Sequence, residues 1–483
     1  MVYRKKTIRQ AAVLPAVAVC VALLGAFFNL SVRAADDVTA SLATATLTPA
    51  TLTPVMLTPV MRPSADAAGD ADEELWAVHA QLSNITQKHN QFNAPYSGPN
   101  SLSPQRRVDE TSDITLFAGL RLWRGAELWL NPELDQGFGF DNTLGVAGFP
   151  NGAAYKLGAN TPYWRLQRAV VRQLIPLGGA VAKVASAANQ LAGSQSADQL
   201  ILTVGKFAVV DLFDTNTYAH DPRADFLNWS MIDSAAFDYA ADSWGYTFGA
   251  AAEWQQSWWT LRGGVFQLSA VPNGKVIGLH ASQYELLVEA EARHQWHGHA
   301  GKVKLLAYTN HGNMGSYRDA LALSRQTAST PDTARVRRIS STSGMALNIE
   351  QELANELGGF VRLSAHRGSK ETYEFTDVNR SLALGLSLQG ARWGRPDDTV
   401  GAGAVVNALS DEARAYFAAG GLGVLVGDGR LRYAPEKIVE FYYALHPFAH
   451  LTLTVDYQHV LSPAYNQDRG PVSIYGVRAH AEF

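Results

Sequence analysis

The chain runs to 483 residues with 17% charged residues, a formal net charge of -4 and one cysteine. So even a balance excludes the basic surface of a nucleic-acid binder and the acidic excess of a solvating tail. Forty-one glycines and 10% aromatics point to many turns and strands, while Cys20, inside the N-terminal apolar run, leaves the predicted mature chain (35–483) without thiol chemistry or disulfides.

In chain order, Arg4, Lys5, Lys6 and Arg9 precede an apolar stretch from Ala11 to about Leu30, and Val32-Arg33-Ala34 offers small-residue cleavage. Residues 1–34 therefore read as a cleaved signal peptide, with an uncleaved membrane anchor as the alternative. Residues 35–74 form a low-complexity arm in which TLTPA, TLTPV and MLTPV repeat in five-residue steps. Proline in each repeat opposes helix and interior strand pairing, so a periplasmic arm or linker is expected. After Glu74 no run of 18 apolar residues occurs, so any membrane crossing from 75 to 483 must use strands.

Strands appear when the chain is read in twos. Alternation runs over 75–84, 114–123, 126–133, 164–174, 199–207, 243–254, 258–269 and 284–294, then over 301–310, 344–353, 359–366, 381–390, 399–408, 438–446, 450–460 and 472–483. These sixteen segments predict an all-β, 16-stranded antiparallel transmembrane β-barrel with short periplasmic turns and long extracellular loops. Arg121, Glu127, Glu285, Glu289, Glu291, Lys302, Lys304, Arg362, Asp456, Arg478 and Glu482 fall on the polar faces, where a wet lumen accepts them. Ser410 to Ala419 does not alternate; a Ser/Asp start and a following Gly-Gly predict a short helix in a loop.

The stretch WGYTFGAAAEW places Trp244 and Trp254 at the two ends of one apolar face. Ten strand steps tilted by roughly 40° span about 25 Å, the height of the apolar band of such barrels, so both rings are expected at membrane interfaces. The last strand, VSIYGVRAHAEF, likewise puts Tyr475 and terminal Phe483 on its apolar face.

Sites of catalysis or metal binding find little support. His294, His297 and His299 cluster at a predicted turn without a carboxylate to complete a shell. GAGAVV and GGLGVLVGDG lack the rest of a nucleotide-binding pattern, and no Ser/His/acid context is recognisable. Asp221, Asp225, Asp233 and Asp238 read as loop hydrogen-bonding groups, with calcium as a weaker reading. No cofactor and no metal are expected.

Four blocks carry a resemblance: GVAGFPNGAAY at 145–155, the stretch GKFAVVDLFDTNTYAHDPRADFLNWSMIDSAAFDYAADSWGYTFG at 205–249, AAGGLGVLVGDGRLRYAPEKIVEFYY at 418–443, and the terminal DYQHVLSPAYNQDRGPVSIYGVRAHAEF. They make residues 75–483 similar to the carbohydrate-selective outer-membrane porins of the OprB type. The resemblance implies a barrel that passes sugars, glucose especially, down their gradient. It also implies a bacterial outer-membrane location, with lipid and lipopolysaccharide around the wall. The closing Phe483 resembles the signal read by the barrel-assembly machinery. A monomer and a trimer both remain open. Residues 178–197 and 320–340 look like variable loops.

Sugars offer C–H faces to aromatic rings and hydroxyls to forked polar groups. The hairpin bearing Arg121, Trp123, Glu127, Trp129, Asn131 and Glu133, with Arg168 and Arg172 on the next strand, supplies both on one predicted face and is the candidate lining. Cross-strand wall pairing is the competing role for each. The turn Phe149-Pro150-Asn151-Gly152 is expected either to fold inward and narrow the pore or to contact lipopolysaccharide or a neighbouring subunit. A general or ion-selective porin on the same barrel, or an enzyme or adhesin anchored by it, is the alternative function.

Overall fold

The computed structural model describes residues 73–483 except 155–157, 279–280 and 376. The expected signal peptide, Cys20 and nearly all of the Pro/Thr arm lie outside the described residues.

Sixteen antiparallel strands close into one barrel, each paired with its sequence neighbours and the last with the first. They are β1 (Trp76–His89), β2 (Arg107–Trp123), β3 (Ala126–Gly137), β4 (Ala159–Val184), β5 (Gly193–Phe207), β6 (Thr247–Gln256), β7 (Trp259–Gln267) and β8 (Tyr284–Trp296). The wall continues with β9 (His299–Met314), β10 (Arg338–Ala354), β11 (Leu357–His366), β12 (Arg380–Gln389), β13 (Thr399–Ala408), β14 (Glu436–Phe448), β15 (Leu451–Leu461) and β16 (Val472–Glu482). Closure leaves no edge, so the backbone groups of the wall pair within it, as a strand needs in lipid.

Alternation decides which face meets which solvent. In β8, Leu286 and Val288 are exposed outward while Glu285, Glu289 and Glu291 are buried inward. In β16, Tyr475 and Val477 face out while Arg478 and His480 are buried. Connections alternate in length as well: tight turns at 124–125, 257–258, 297–298, 355–356 and 449–450 mark one rim, and segments such as 208–246 and 409–435 mark the other. The tight-turn rim is the periplasmic one.

Among the described residues the long connections contain three α-helices, α1 (Trp229–Ile232), α2 (Tyr317–Thr327) and α3 (Asp411–Ala418). The expected helix near 410–419 is α3, started by Ser410, whose hydroxyl accepts the amide of Ala413. The two stretches expected as variable loops are largely regular: α2 occupies much of one, and the other is a β-hairpin, since β4 pairs with β5 as far as Val184 and Gly193.

The Trp244 to Trp254 span needs correction. β6 begins only at Thr247, so Trp244 is not on the strand and the ten-step ruler is not a strand length. From Thr247 onward the alternation holds, with Trp254 half exposed beside Trp259 at the periplasmic rim. Trp244 turns to the inner side, where the Arg165 guanidinium lies 3.5 Å from its ring centroid and its indole N–H donates to the Tyr163 hydroxyl at 2.8 Å.

Candidate permeation pathway

An empty barrel of this size would be a wide pore, and the segment 208–246 prevents that by folding into it. Its residues Phe213, Phe226, Met231 and Ala240 have no accessible surface. A chain lying in the lumen brings unpaired backbone amides and carbonyls, which must find partners there. The inward side chains of the wall supply them. Glu440 accepts the amides of Leu227 and Asn228, Glu289 that of Asp214, Glu350 that of Thr217, and Glu285 that of Ala240. Cations take the carbonyls: Arg478 donates to Pro222, Ala224 and Asp225, and Arg362 donates to Met231 at 2.6 Å and Asp214 at 3.1 Å.

The turn after β3 folds inward too, which decides between its two expected roles. Phe149 stacks on Trp229 with centroids 5.2 Å apart, and the Pro150 carbonyl accepts the side-chain amides of Gln87 and Gln458, each at 2.8 Å. Asn151 donates to the Thr111 hydroxyl. Glu436 receives the amides of Ala147, Gly148 and Ala464, fastening this connection and the one between β15 and β16 to one carboxylate.

Of the four aspartates, Asp221, Asp225 and Asp233 serve the loop 208–246 itself, while Asp238 accepts the amides of Tyr373 and Glu374 from the connection between β11 and β12. Asp225 accepts the amides of His220 and Asp221, and Asp233 accepts the Tyr239 hydroxyl. Burial, helped by the Asp221 charge, pushes the Asp225 carboxyl up to about 6. Burial and the charge of Asp214 push Asp233 up to about 7. Burial, with Arg362 nearby, lowers the imidazole of His220.

The wall of β2 to β6 carries a further group of cations, apart from Arg262 of β7 and Lys302 and Lys304 of β9, which pair with glutamates of the wall. A bulge in β4 between its pairings with Asn131 and Pro132 turns both Gln167 and Arg168 inward. The Arg168 Nε donates to Asp211 at 2.7 Å, and its guanidinium lies 5.0 Å from the Tyr246 ring centroid. Above it Arg165 pairs with Asp242 at 3.1 Å, below it Arg172 pairs with Glu127 at 2.7 Å, and Arg223 from the loop reaches Asp113 at 2.9 Å. In these flanking pairs the acid is the hidden partner: Arg172 keeps 24% of its side-chain surface against 4% for Glu127.

The candidate lining residues do not form one group. Glu127, Trp129, Asn131 and Glu133 are buried on the inner face of β3, with the Trp129 indole donating to Glu127 at 3.0 Å and Glu133 accepting from Thr115 and Gln167. Both amide atoms of Asn131 lack a protein partner. Arg121 sits near the periplasmic rim, donating to the carbonyls of Glu74 and Ala192. Trp123 departs from the expectation. The register shifts between Arg121 and Trp123, and the ring, 59% exposed at the tight turn, donates to Gln173. Trp123 is thus a rim aromatic while Trp244 lies inside, the reverse of what alternation suggested for the pair. Alternation does not single out Arg165 or Lys206, whose ammonium lies 3.6 Å from the Asp242 carboxylate, and it does not address the path of the connection that carries Arg223 and Tyr246.

Among the described residues no group of His, Cys, Asp and Glu is arranged to hold a metal ion. His294 contacts Gln351 and His299 contacts Glu352, so the histidine cluster is divided between wall contacts. Phe483 stays exposed at the end of the wall, its amide and carbonyl paired with Ala80.

Comparison with known proteins agrees with this geometry. Porin AaxA of Chlamydia abortus is 22% identical over 330 residues, 66% of this chain and 63% of that protein. Porin AaxA of Chlamydia felis is 23% identical over 323 residues with the same shares, so the chain spans less than two thirds of the length of these relatives. The high-pH structure of Pseudomonas putida OprB shares the fold at a TM-score of 0.66 and 16% identity, over 85% of this chain and 94% of that one. The family described as carbohydrate-selective porin, OprB family, matches residues 99–483. With the closed 16-stranded wall and its inward-folded connection, this makes the chain a member of the OprB family of carbohydrate-selective porins of the bacterial outer membrane.

Proposed function

We propose that the solute is a monosaccharide such as glucose, passing between the loop 208–246 and the wall of β3 to β6. The observation that carries this reading is the Arg168 site: a guanidinium fixed by Asp211, set by Tyr246, with Arg165 and Arg172 above and below on one strand. Guanidinium groups donate to adjacent sugar hydroxyls, and the rings of Tyr246 and Trp244 offer apolar surface beside them. Contacts of this kind exchange easily for water, which suits a solute that must leave as readily as it enters.

Single-channel current in planar bilayers tests the proposal. Glucose at millimolar concentration is expected to block the current of the native channel, and Arg168→Ala to weaken the block several-fold. Open channels indifferent to glucose would establish a general porin on the same barrel.

A further inference from the structure

β4 and β5 are longer than the wall requires. The ladder from β3 ends at Gln173 of β4 and that from β6 at Gln199 of β5, yet β4 and β5 continue paired to Val184 and Gly193. A hairpin projecting freely into the periplasm would be wet on both faces. Instead Leu191 at its tip is only 1% exposed, within the same buried apolar cluster as Ala77, Phe117 and Trp129 of the inner wall.

The bend that brings it there is visible in the backbone. Register shifts flank Gly178, and Gly178 and Gly179 have φ of 123° and 80°, in the region that favours glycine. No atom approaches the Cβ position of Gly178 within 4 Å, so the turn is made by the chain and not forced by a neighbour. Beyond the bend the tip is tied to three strands. The Asn189 carbonyl accepts from Arg172 of β4 at 2.8 Å, the Ala192 carbonyl from Arg121 of β2 at 3.1 Å, and Ser186 hydrogen-bonds His79 of β1 at 3.0 Å. The amide of Ala192 donates to the Glu74 carboxylate, and the amide of Glu74 donates back to the Ala192 carbonyl.

We infer that the β4–β5 hairpin folds back across the periplasmic mouth and forms a second constriction of the channel, in series with the loop 208–246. Every solute leaving the lumen passes this rim, and the tip occupies the side of it that lies directly below the arginines of β4. The latch is polar and local: Arg121 and Glu74 grip the backbone of Ala192, so their removal loosens the tip without touching the wall ladders.

The test measures ion flow in potassium chloride without sugar, so it is independent of the solute assignment. In one variant residues 177–198 are replaced by Asn-Gly, which joins Pro176 to Gln199 through a two-residue turn that suits antiparallel strands. The expected result is a barrel that retains heat-modifiable mobility and conducts at least twice the native single-channel current. The double variant Glu74→Ala, Arg121→Ala keeps the hairpin and is expected to conduct at an intermediate level with added open-channel noise. Should the shortened barrel fail to fold, the double variant decides alone. Native conductance in the folded shortened barrel, or in the double variant where only that one folds, overturns the inference.

Discussion

Replacing Arg362 with methionine removes the clamp that the wall places on the middle of the inward loop. The side chain is 1% exposed, donates to the carbonyls of Met231 and Asp214, and lies 3.5 Å from the Asp214 carboxylate. Methionine fills much of the volume but leaves two carbonyls and a buried carboxylate without their cation. Breaking a buried charged contact costs about 3–5 kcal/mol. Asp214 keeps the Ser234 amide and hydroxyl and the Asn348 amide as donors, which favours the lower end of that range. At about 1.4 kcal/mol per decade, protection of the loop against hydrogen exchange should fall roughly 100-fold. Exchange followed by mass spectrometry on peptides covering 209–235 reads this directly, and the wall strands serve as internal control because their ladders are unaffected. A loss below threefold in the loop would show that Arg362 does not clamp it and refute this reasoning.

Three further outcomes are expected. Trp123→Ala should leave glucose block of the current unchanged while Arg168→Ala weakens it, because the Trp123 ring lies outside the lumen; equal weakening would return Trp123 to the lining. Gly119→Val should destabilise the barrel by about 1–3 kcal/mol in denaturant titration, since even a Cβ there would lie 2.4 Å from the Trp129 ring; native stability would mean the ring moves freely. Docking of 208–246 should weaken with rising pH. Asp225 and Asp233 have raised pKa values in the docked loop, about 6 and about 7, so protonation favours docking. That stabilisation is full below the ordinary carboxyl pKa of about 4 and is lost as pH rises to about 7. Intrinsic-rate-corrected exchange of the loop amides should therefore quicken from pH 4.5 to 8, and Asp233→Asn should flatten most of the trend; a pH-independent native loop would contradict it.

Much of the wall was legible in the chain because a strand between lipid and water writes its two solvents into alternate residues. Leu286, Val288, Glu289 and Glu291 show this plainly, and each of the sixteen segments overlaps one strand, although 243–254 begins before β6 does. Alternation lost its meaning where the strand ended. Tyr246 has the parity of Phe248 yet is buried, because the chain before Thr247 belongs to the lumen connection. The bulge at Gln167 and Arg168 and the register shift before Trp123 have no signature in a pattern of apolar and polar letters. The inner face is also less polar than expected: Phe117, Phe266, Phe360, Ile438 and Ile474 point inward and are buried. They pack against inward-folded connections whose path depends on contacts far apart in sequence.

The same packing explains how charges that cancel in number can still leave a charged path. Acids accept backbone amides of the lumen connections, as Glu289, Glu350 and Glu440 do, and this draws carboxylates away from water. In several ion pairs of the lumen the cation retains more access: Arg262 has 12% of its side-chain surface against 0% for Glu289, Arg165 has 20% against 3% for Asp242, and Arg223 has 16% against 3% for Asp113. At these pairs a solute in the lumen meets guanidinium groups before carboxylates, whereas Arg168 and Asp211 offer it similar access, 20% and 25% of their side-chain surfaces. Focused in a narrow path between low-dielectric walls, such an arrangement favours anions. In a tenfold potassium chloride gradient the reversal potential should lie on the chloride side, and Arg165→Glu with Arg172→Glu should move it toward potassium. A native channel that prefers potassium would mean that the buried carboxylates, not the accessible arginines, set the field along the path.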